Sequence, residues 1–243
     1  MSRVILLAIN AKYVHSSLSV WALAGGVERY ARQPHDVQVV ECTINQADEE
    51  IAGYVASFAP DVVGVSAYIW NAGKLPGLLA LLRRMLPSAV LVLGGPEASY
   101  NAEHWLNIGA DFVLRGEGER SFPELLDTLV KEVPEQIELE PLQTGQPTDA
   151  ADPVDPLTEA YFNALNNRIA YVETSRGCPF QCAFCLSGGS GVRFFPILVA
   201  KQQLRRLAVS QARTIKLVDR TFNCDAARAY ELFDYIIGLD TAR

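Results

Sequence analysis

No apolar run in the 243 residues approaches the roughly 18 needed to cross a bilayer. The first run, Val4-Ile5-Leu6-Leu7-Ala8-Ile9, is too short for a signal-peptide core and lacks a small-residue cleavage site, so it reads as a strand. Membrane and secreted readings are therefore set aside, and the expected location is cytoplasmic. A basic excess is missing as well. The 21 Lys+Arg stand against 28 Asp+Glu, a net charge of −7, which counts against non-specific nucleic-acid binding. Arg83-Arg84 and Arg205-Arg206 have no interleaved aromatics and read as solvated helix faces. Histidine is scarce: the three, His15, His35 and His104, all lie far upstream of the main cysteine group. Five cysteines are neither a disulfide framework nor an even scatter, for Cys42 and Cys224 stand alone while Cys178, Cys182 and Cys185 crowd together. The remaining composition, 49% apolar and 20% charged, is ordinary for a globular chain and argues against wholesale disorder.

Strand and helix signals alternate through the first 130 or so residues. Strands are expected at 3–9, 35–41, 62–66, 89–93 and 112–114. Helices are expected at 17–30, 47–58, 75–85, 102–107 and 119–131. Strands nearly free of polar residues, each followed by a helix, indicate a parallel sheet covered on both faces. The expectation is an α/β fold: a doubly wound parallel five-stranded sheet in residues 1–131. From 132 to 167 proline recurs at 134, 141, 147, 153 and 156 among acidic and small polar residues, which is linker chemistry. Residues 168–243 then read as β-α-β-α, with strands at 169–173 and 214–218 and helices at 196–207 and 226–237. Two such units cannot close a barrel, which needs eight. The expectation is a fragment of a longer protein, the other reading being pairing with a second chain.

The most informative stretch is Ser175-Arg176-Gly177-Cys178-Pro179-Phe180-Gln181-Cys182-Ala183-Phe184-Cys185, on a loop directly after a strand. Its C-x3-C-x2-C spacing lets three thiolates face one concave turn and ligate one soft-metal centre. A four-iron cube held by three cysteines keeps one iron open, whereas a structural zinc is closed by a fourth ligand. Cys224 is the one thiol available for that role. The competing readings are a zinc knuckle and three packed free thiols.

With an aromatic residue before the last cysteine, at the end of what would be a barrel's first strand, this motif resembles the radical S-adenosylmethionine (SAM) enzymes. The resemblance implies that Cys178, Cys182 and Cys185 ligate a [4Fe–4S] cluster and that SAM chelates the open iron. Reductive cleavage of SAM then gives a 5′-deoxyadenosyl radical. Phe184 would lie beside the adenine of SAM, and a flavodoxin or ferredoxin would supply the electron. The family's glycine-rich segment after the second strand is replaced here by Asp219-Arg220-Thr221-Phe222-Asn223, in which Asp219 is the candidate acceptor for the SAM amino group.

Three earlier segments, Pro60-Asp61-Val62-Val63-Gly64-Val65-Ser66, Leu93-Gly94-Gly95-Pro96 and Arg115-Gly116-Glu117-Gly118-Glu119, resemble the cobalamin (B12)-binding domain that precedes many radical SAM barrels. Ligands of doubly wound sheets bind beyond the carboxyl ends of the strands. Ser66, Gly94 and Gly95 sit there, and paired glycines let the backbone approach a bulky ligand. The bland readings are a helix cap for Ser66 and a tight turn for the glycines. The lower-axial motif Asp-x-His-x-x-Gly is not reproduced in Asn10–Leu18, so His15 is either an axial ligand of cobalt or an ordinary loop histidine. Glu117 and Glu119 read either as a polar contact to cofactor or barrel, or as negative charge at a helix N-terminus. Cys42 reads as a buried strand-end thiol.

Together these resemblances imply a cobalamin-dependent radical SAM enzyme that methylates or rearranges an unactivated carbon of an unknown small molecule or peptide. The alternatives are a cobalamin-binding module with an incomplete barrel and a zinc-bound structural protein. A methylthiotransferase is disfavoured, because its second cluster needs three more upstream cysteines and only Cys42 precedes position 178.

Overall fold

The apolar run that opens the chain becomes β1 (Ser2–Asn10), in which every residue but Arg3 is buried. Such a strand must be covered on both faces, and the following elements do this. They are α1 (Leu18–Tyr30), β2 (His35–Thr43), α2 (Asp48–Ser57), β3 (Val62–Ser66), α3 (Leu75–Met85), β4 (Val90–Gly94), α4 (Pro96–Tyr100), α5 (Ala102–Asn107), β5 (Phe112–Arg115), α6 (Gly118–Val130) and β6 (Leu142–Thr144). The chain continues as α7 (Glu159–Ala164), β7 (Ile169–Val172), β8 (Ser175–Cys178), β9 (Gly191–Phe194), α8 (Ile197–Ala208), β10 (Thr214–Leu217), a 3₁₀ turn at Phe222–Cys224 and α9 (Ala226–Ile237). This computed structural model describes residues 1–130, 140–185 and 189–239. It divides into two units, Met1–Thr148 with Val154–Pro156, and Asp149–Pro153 with the chain from Leu157 onward.

In the first unit the sheet runs β2-β1-β3-β4-β5-β6, every pair parallel. The order reverses between β1 and β3, the flavodoxin-like arrangement of a doubly wound sheet. Side chains alternate between the two faces. Ile5, Leu7, Ile9, Val63, Val65, Leu91 and Leu93 join Ile51, Leu78, Leu82 and Trp105 in one continuous core. On the other face Leu6 approaches Gly64, with the Phe122 ring of α6 beside it. Burying each such side chain contributes roughly 1.5–3 kcal/mol.

The sheet has six strands where the sequence pattern indicates five. The sixth, Leu142–Thr144, lies in the stretch read as linker, where a three-residue strand with a polar centre carries no alternation signal. The same stretch holds α7, with Leu157, Tyr161 and Leu165 fully buried. Lys131, expected in the last helix of the first unit, lies outside the described residues, as do residues 132–139 of the stretch read as linker. Arg83 is not a solvated helix-face residue. Its guanidinium donates to the Ala89 carbonyl at 2.9 Å and to Asp111 Oδ2 at 2.6 Å, tying the end of α3 to the starts of β4 and β5. Arg206, exposed on α8 as expected, also donates to the Leu157 carbonyl and lies over the Phe162 ring.

In the second unit β7 and β10 pair in parallel, Ile169 opposite Thr214, with α8 between them in sequence. An antiparallel hairpin, β8 with β9, interrupts this β-α-β run and carries the first of the three crowded cysteines. Among the described residues, no helix is long and apolar enough to cross a membrane.

Candidate functional site

Two loops meet where the first unit's strand order reverses, and one buried amide joins them. Asn71, 1% exposed, donates through Nδ2 to the carbonyls of Ser66 (2.9 Å) and Ile9 (3.2 Å), and its Oδ1 accepts from the Tyr68 backbone (2.8 Å). Trp70 Nε1 also donates to the Ile9 carbonyl, at 3.1 Å. These bonds satisfy the amide and leave residues 68–70 facing outward. Ile69 is 82% and Trp70 46% exposed, and the Tyr68 and Trp70 rings stack at 4.3 Å and 9°. A large apolar shelf at a strand's carboxyl end is informative in a way that a scattered exposed leucine is not.

The loop after β1 is held from β2. Glu41 accepts from Asn10 Nδ2 (3.2 Å), the Ser17 backbone (2.5 Å) and Trp21 Nε1 (3.4 Å). Asn10 Nδ2 also donates to the His15 carbonyl at 3.0 Å, so these bonds fix the main chain of His15. His15 is half-buried, and Tyr13 beside it is largely exposed.

Ser66 pairs with Gly94 in the β3–β4 register, and its hydroxyl makes no hydrogen bond among the described residues. Gly95 has φ +98°, and a Cβ there would lie 2.7 Å from the Ala67 carbonyl oxygen, so the turn itself demands glycine at this position. A Cβ at Gly94 would meet only the Leu114 oxygen, at 3.8 Å, which leaves room on that side. Glu117 accepts from the Thr148 backbone (2.8 Å) and hydroxyl (2.7 Å), which fastens the chain after β6 to the start of α6. Glu119 is buried in the first turn of α6. Cys42 is a core thiol, pushed up from its ordinary pKa by burial and then by Glu50 and Glu41.

The second unit builds its site on the β8–β9 hairpin. Cys178 pairs with Gly191 at the end of the hairpin from which the connecting loop departs. Gly177 sits at φ +87°, where a Cβ would fall 2.0 Å from the Gly191 oxygen, so this close crossing of the strands needs glycine. Beyond Cys178 the chain makes an excursion closed by the Gly189 N–H to the Phe180 carbonyl (2.9 Å). Cys182 and Cys185 lie on it, exposed, joined by a turn in which the Cys185 N–H donates to the Cys182 carbonyl (2.9 Å). Phe184 between them is 92% exposed. All five cysteines are unpaired. Among the described residues, no three His, Cys, Asp or Glu side chains are gathered closely enough to hold a metal ion. The loop thus supplies three thiols without a ready-made cage. Cys224 is half-buried on the 3₁₀ turn and joins no such group either.

Cys178 differs from the other two. The Thr221 hydroxyl lies 3.2 Å from its sulfur. That contact first, with the Phe180 backbone and Arg220, holds the thiol below its ordinary pKa against the opposing effect of burial. Asp219 Oδ1 accepts from Thr174 N (3.1 Å), Thr174 Oγ1 (2.9 Å) and Ser175 Oγ (2.5 Å), while its Oδ2 is buried and makes no hydrogen bond among the described residues. One carboxylate oxygen is therefore structural, and the other is an unsatisfied acceptor.

The sequence pattern ends this strand at Ser66 and carries no signal that Tyr68, Ile69 and Trp70 are held outward, since the bonds that do this come from Asn71 and from Ile9 on another strand. Thr221 was legible only as part of a segment, since a hydroxyl's reach to a distant sulfur has no sequence signal.

The B12 binding domain family matches residues 4–126. The hopanoid C-3 methylase of Methylococcus capsulatus is 28% identical over 227 residues, covering 86% of this chain and 44% of that protein. An uncharacterized methyltransferase of Pyrococcus horikoshii is 26% identical over 223 residues, covering 83% of this chain and 49% of that one. The chain therefore spans less than half the length of these relatives. Among solved structures, the cobalamin-dependent SAM radical enzyme OxsB with aqua-cobalamin and SAM bound superposes with a TM-score of 0.77 at 17% identity, over 99% of this chain and 37% of its own. The radical SAM methyltransferase TsrM from Kitasatospora setae does so with a TM-score of 0.68 at 18% identity, over 97% of this chain and 51% of its own. The chain belongs to the B12 binding domain family, its matched domain followed by β/α elements with the fold seen in cobalamin-dependent radical SAM enzymes.

Proposed function

We propose that this chain is the cofactor-binding part of a cobalamin-dependent radical SAM enzyme that methylates or rearranges an unactivated carbon. The observation that carries the reading is the three-thiol loop after the first strand of a parallel β-α-β run, in a chain that also bears a B12-binding domain. The relatives' names, hopanoid methylase and methyltransferase among them, support methyl transfer in particular. The functional division proposed is 1–131 for cobalamin, 132–167 as connection and 168–243 as the first part of a barrel.

The donor chemistry suits a [4Fe–4S] cluster. Cys178, Cys182 and Cys185 are soft ligands with no disulfide partner, and the exposed excursion leaves the last two able to close on a metal. The shelf of Ile69 and Trp70, the uncrowded Gly94 and the Ser66 hydroxyl suit a bulky planar cofactor with a polar tail. His15, on the loop that follows the Ile9 carbonyl to which Trp70 is anchored, is the candidate axial ligand. When bound, the cluster and SAM supply a carbon radical, and cobalamin supplies a methyl group.

The chain's own residues bind and orient. Phe184 offers an exposed ring to adenine, and Asp219, whose buried Oδ2 has no hydrogen bond among the described residues, is the candidate acceptor for the SAM ammonium once SAM uncovers it. Ile69 and Trp70 would shield one side of bound cobalamin from water. The substrate, a small molecule or peptide, and the reductant, a flavodoxin or ferredoxin, belong to the same proposal.

The test is anaerobic reconstitution of the 243-residue chain with iron and sulfide, followed by hydroxocobalamin and gel filtration. About four irons per chain and co-eluting cobalamin are expected, with Cys182→Ala losing the iron and keeping the cobalamin. Cobalamin without iron would instead make the chain a binding module. Zinc at about one per chain would make it a structural protein.

A further inference from the structure

We propose that Thr221 is a positioning residue that hydrogen-bonds the Cys178 sulfur and thereby sets the electron affinity of the centre this cysteine ligates. The inference rests on the proposed role of Cys178 as a cluster ligand.

The segment leaving β10 grips the cysteine hairpin at two points. Asp219 Oδ1 takes three hydrogen bonds from Thr174 and Ser175, at the root of β8. Two residues further on, Thr221 Oγ1 lies 3.2 Å from Cys178 Sγ, at the other end of β8. With β8 only Ser175–Cys178 long, Asp219 and Thr221 together fix both of its ends. Arg228 adds a third tie on the same side, donating through Nη2 to the Thr174 carbonyl at 3.2 Å. Thr221 is itself held, its carbonyl accepting from the Cys224 N–H at 3.3 Å in the 3₁₀ turn. Backbone and carboxylate contacts therefore hold the main chain that carries this hydroxyl beside Cys178.

A ligating thiolate has no proton to give, so in the metal-bound state the hydroxyl must be the donor. A donor aimed at a ligand sulfur draws off electron density and stabilises the more negative, reduced state of the cluster. Cys182 and Cys185 are exposed and have no comparable side-chain donor among the described residues. The three ligands are thus unequal by construction.

The experiment is anaerobic redox potentiometry, read by electron paramagnetic resonance, on the reconstituted 243-residue chain and its variants without SAM. Thr221→Val and Thr221→Ala, one near-isosteric and one smaller, both move the cluster potential to more negative values. Thr221→Ser keeps the native potential. Iron content near native in the variants shows that the readout concerns the sulfur's environment rather than assembly. Unchanged potentials in Thr221→Val or Thr221→Ala overturn the inference and leave the cluster reading intact. No cluster in the native chain overturns the cluster reading itself.

Discussion

Trp70 and Asp127 show how single side chains serve the two ends of the first sheet. At the carboxyl end, Trp70 is anchored by its indole N–H to the Ile9 carbonyl and still exposes nearly half its surface. If the shelf seats cobalamin, Trp70→Ala removes about 1–2 kcal/mol of contact. That weakens hydroxocobalamin binding about 10-fold, measured by absorbance titration, and an unchanged affinity would contradict the assignment. At the amino end, Asp127 takes hydrogen bonds from Arg32 N (2.8 Å), Gln33 N (3.0 Å) and His35 Nε2 (3.1 Å), while Ser2 Oγ lies 2.7 Å from His35 Nδ1. Burial pushes the Asp127 carboxyl up, but the bonds from Arg32, His35 and Gln33 outweigh it and hold its pKa below the ordinary 3.8. A depressed folded pKa stabilises the fold above the unfolded value, and the gain is lost as pH falls through the folded one. Urea midpoints of the native chain therefore decline below about pH 4. Asp127→Asn flattens that decline and costs roughly 1–3 kcal/mol near neutrality. An identical pH profile in the variant would count against this strap.

At the scale of elements, legibility in the sequence followed how much of an element's reason is local. β1 and β3 are nearly uniform apolar runs between helix signals, and α3 and α8 carry 3.6-residue periodicity, so all were legible. β6 and the β8–β9 hairpin were not. Leu142-Gln143-Thr144 and Ser175-Arg176-Gly177-Cys178 are short and polar, and pairing with a distant strand alone makes them extended. The hairpin offers a sharp test. Gly177→Ala forces a side chain into the Gly191 carbonyl at a positive φ, a strain of about 1–3 kcal/mol before any clash. The crossing then opens and iron uptake falls to a minor fraction, while hydroxocobalamin is still retained by the first unit. Full iron uptake in this variant would show that the hairpin does not organise the thiols.

At the scale of the whole molecule, the C-x3-C-x2-C spacing pointed to metal chemistry, whereas Asp219's divided use became visible only with the strands placed. One of its oxygens builds the hairpin, and sequence position says nothing of that. His15 is the converse case. Its loop lacks the acidic partner of the axial motif, and the bonds that order the loop converge on Glu41 from another strand. The central proposal is that three thiols hold a cluster while one iron stays open to SAM. The most direct measurement is the electron paramagnetic resonance spectrum of the reduced, reconstituted chain before and after SAM is added. The account predicts a cluster signal whose line shape changes on addition of SAM, with no signal in Cys182→Ala. A spectrum indifferent to SAM, or a chain that takes up no cluster, would contradict it.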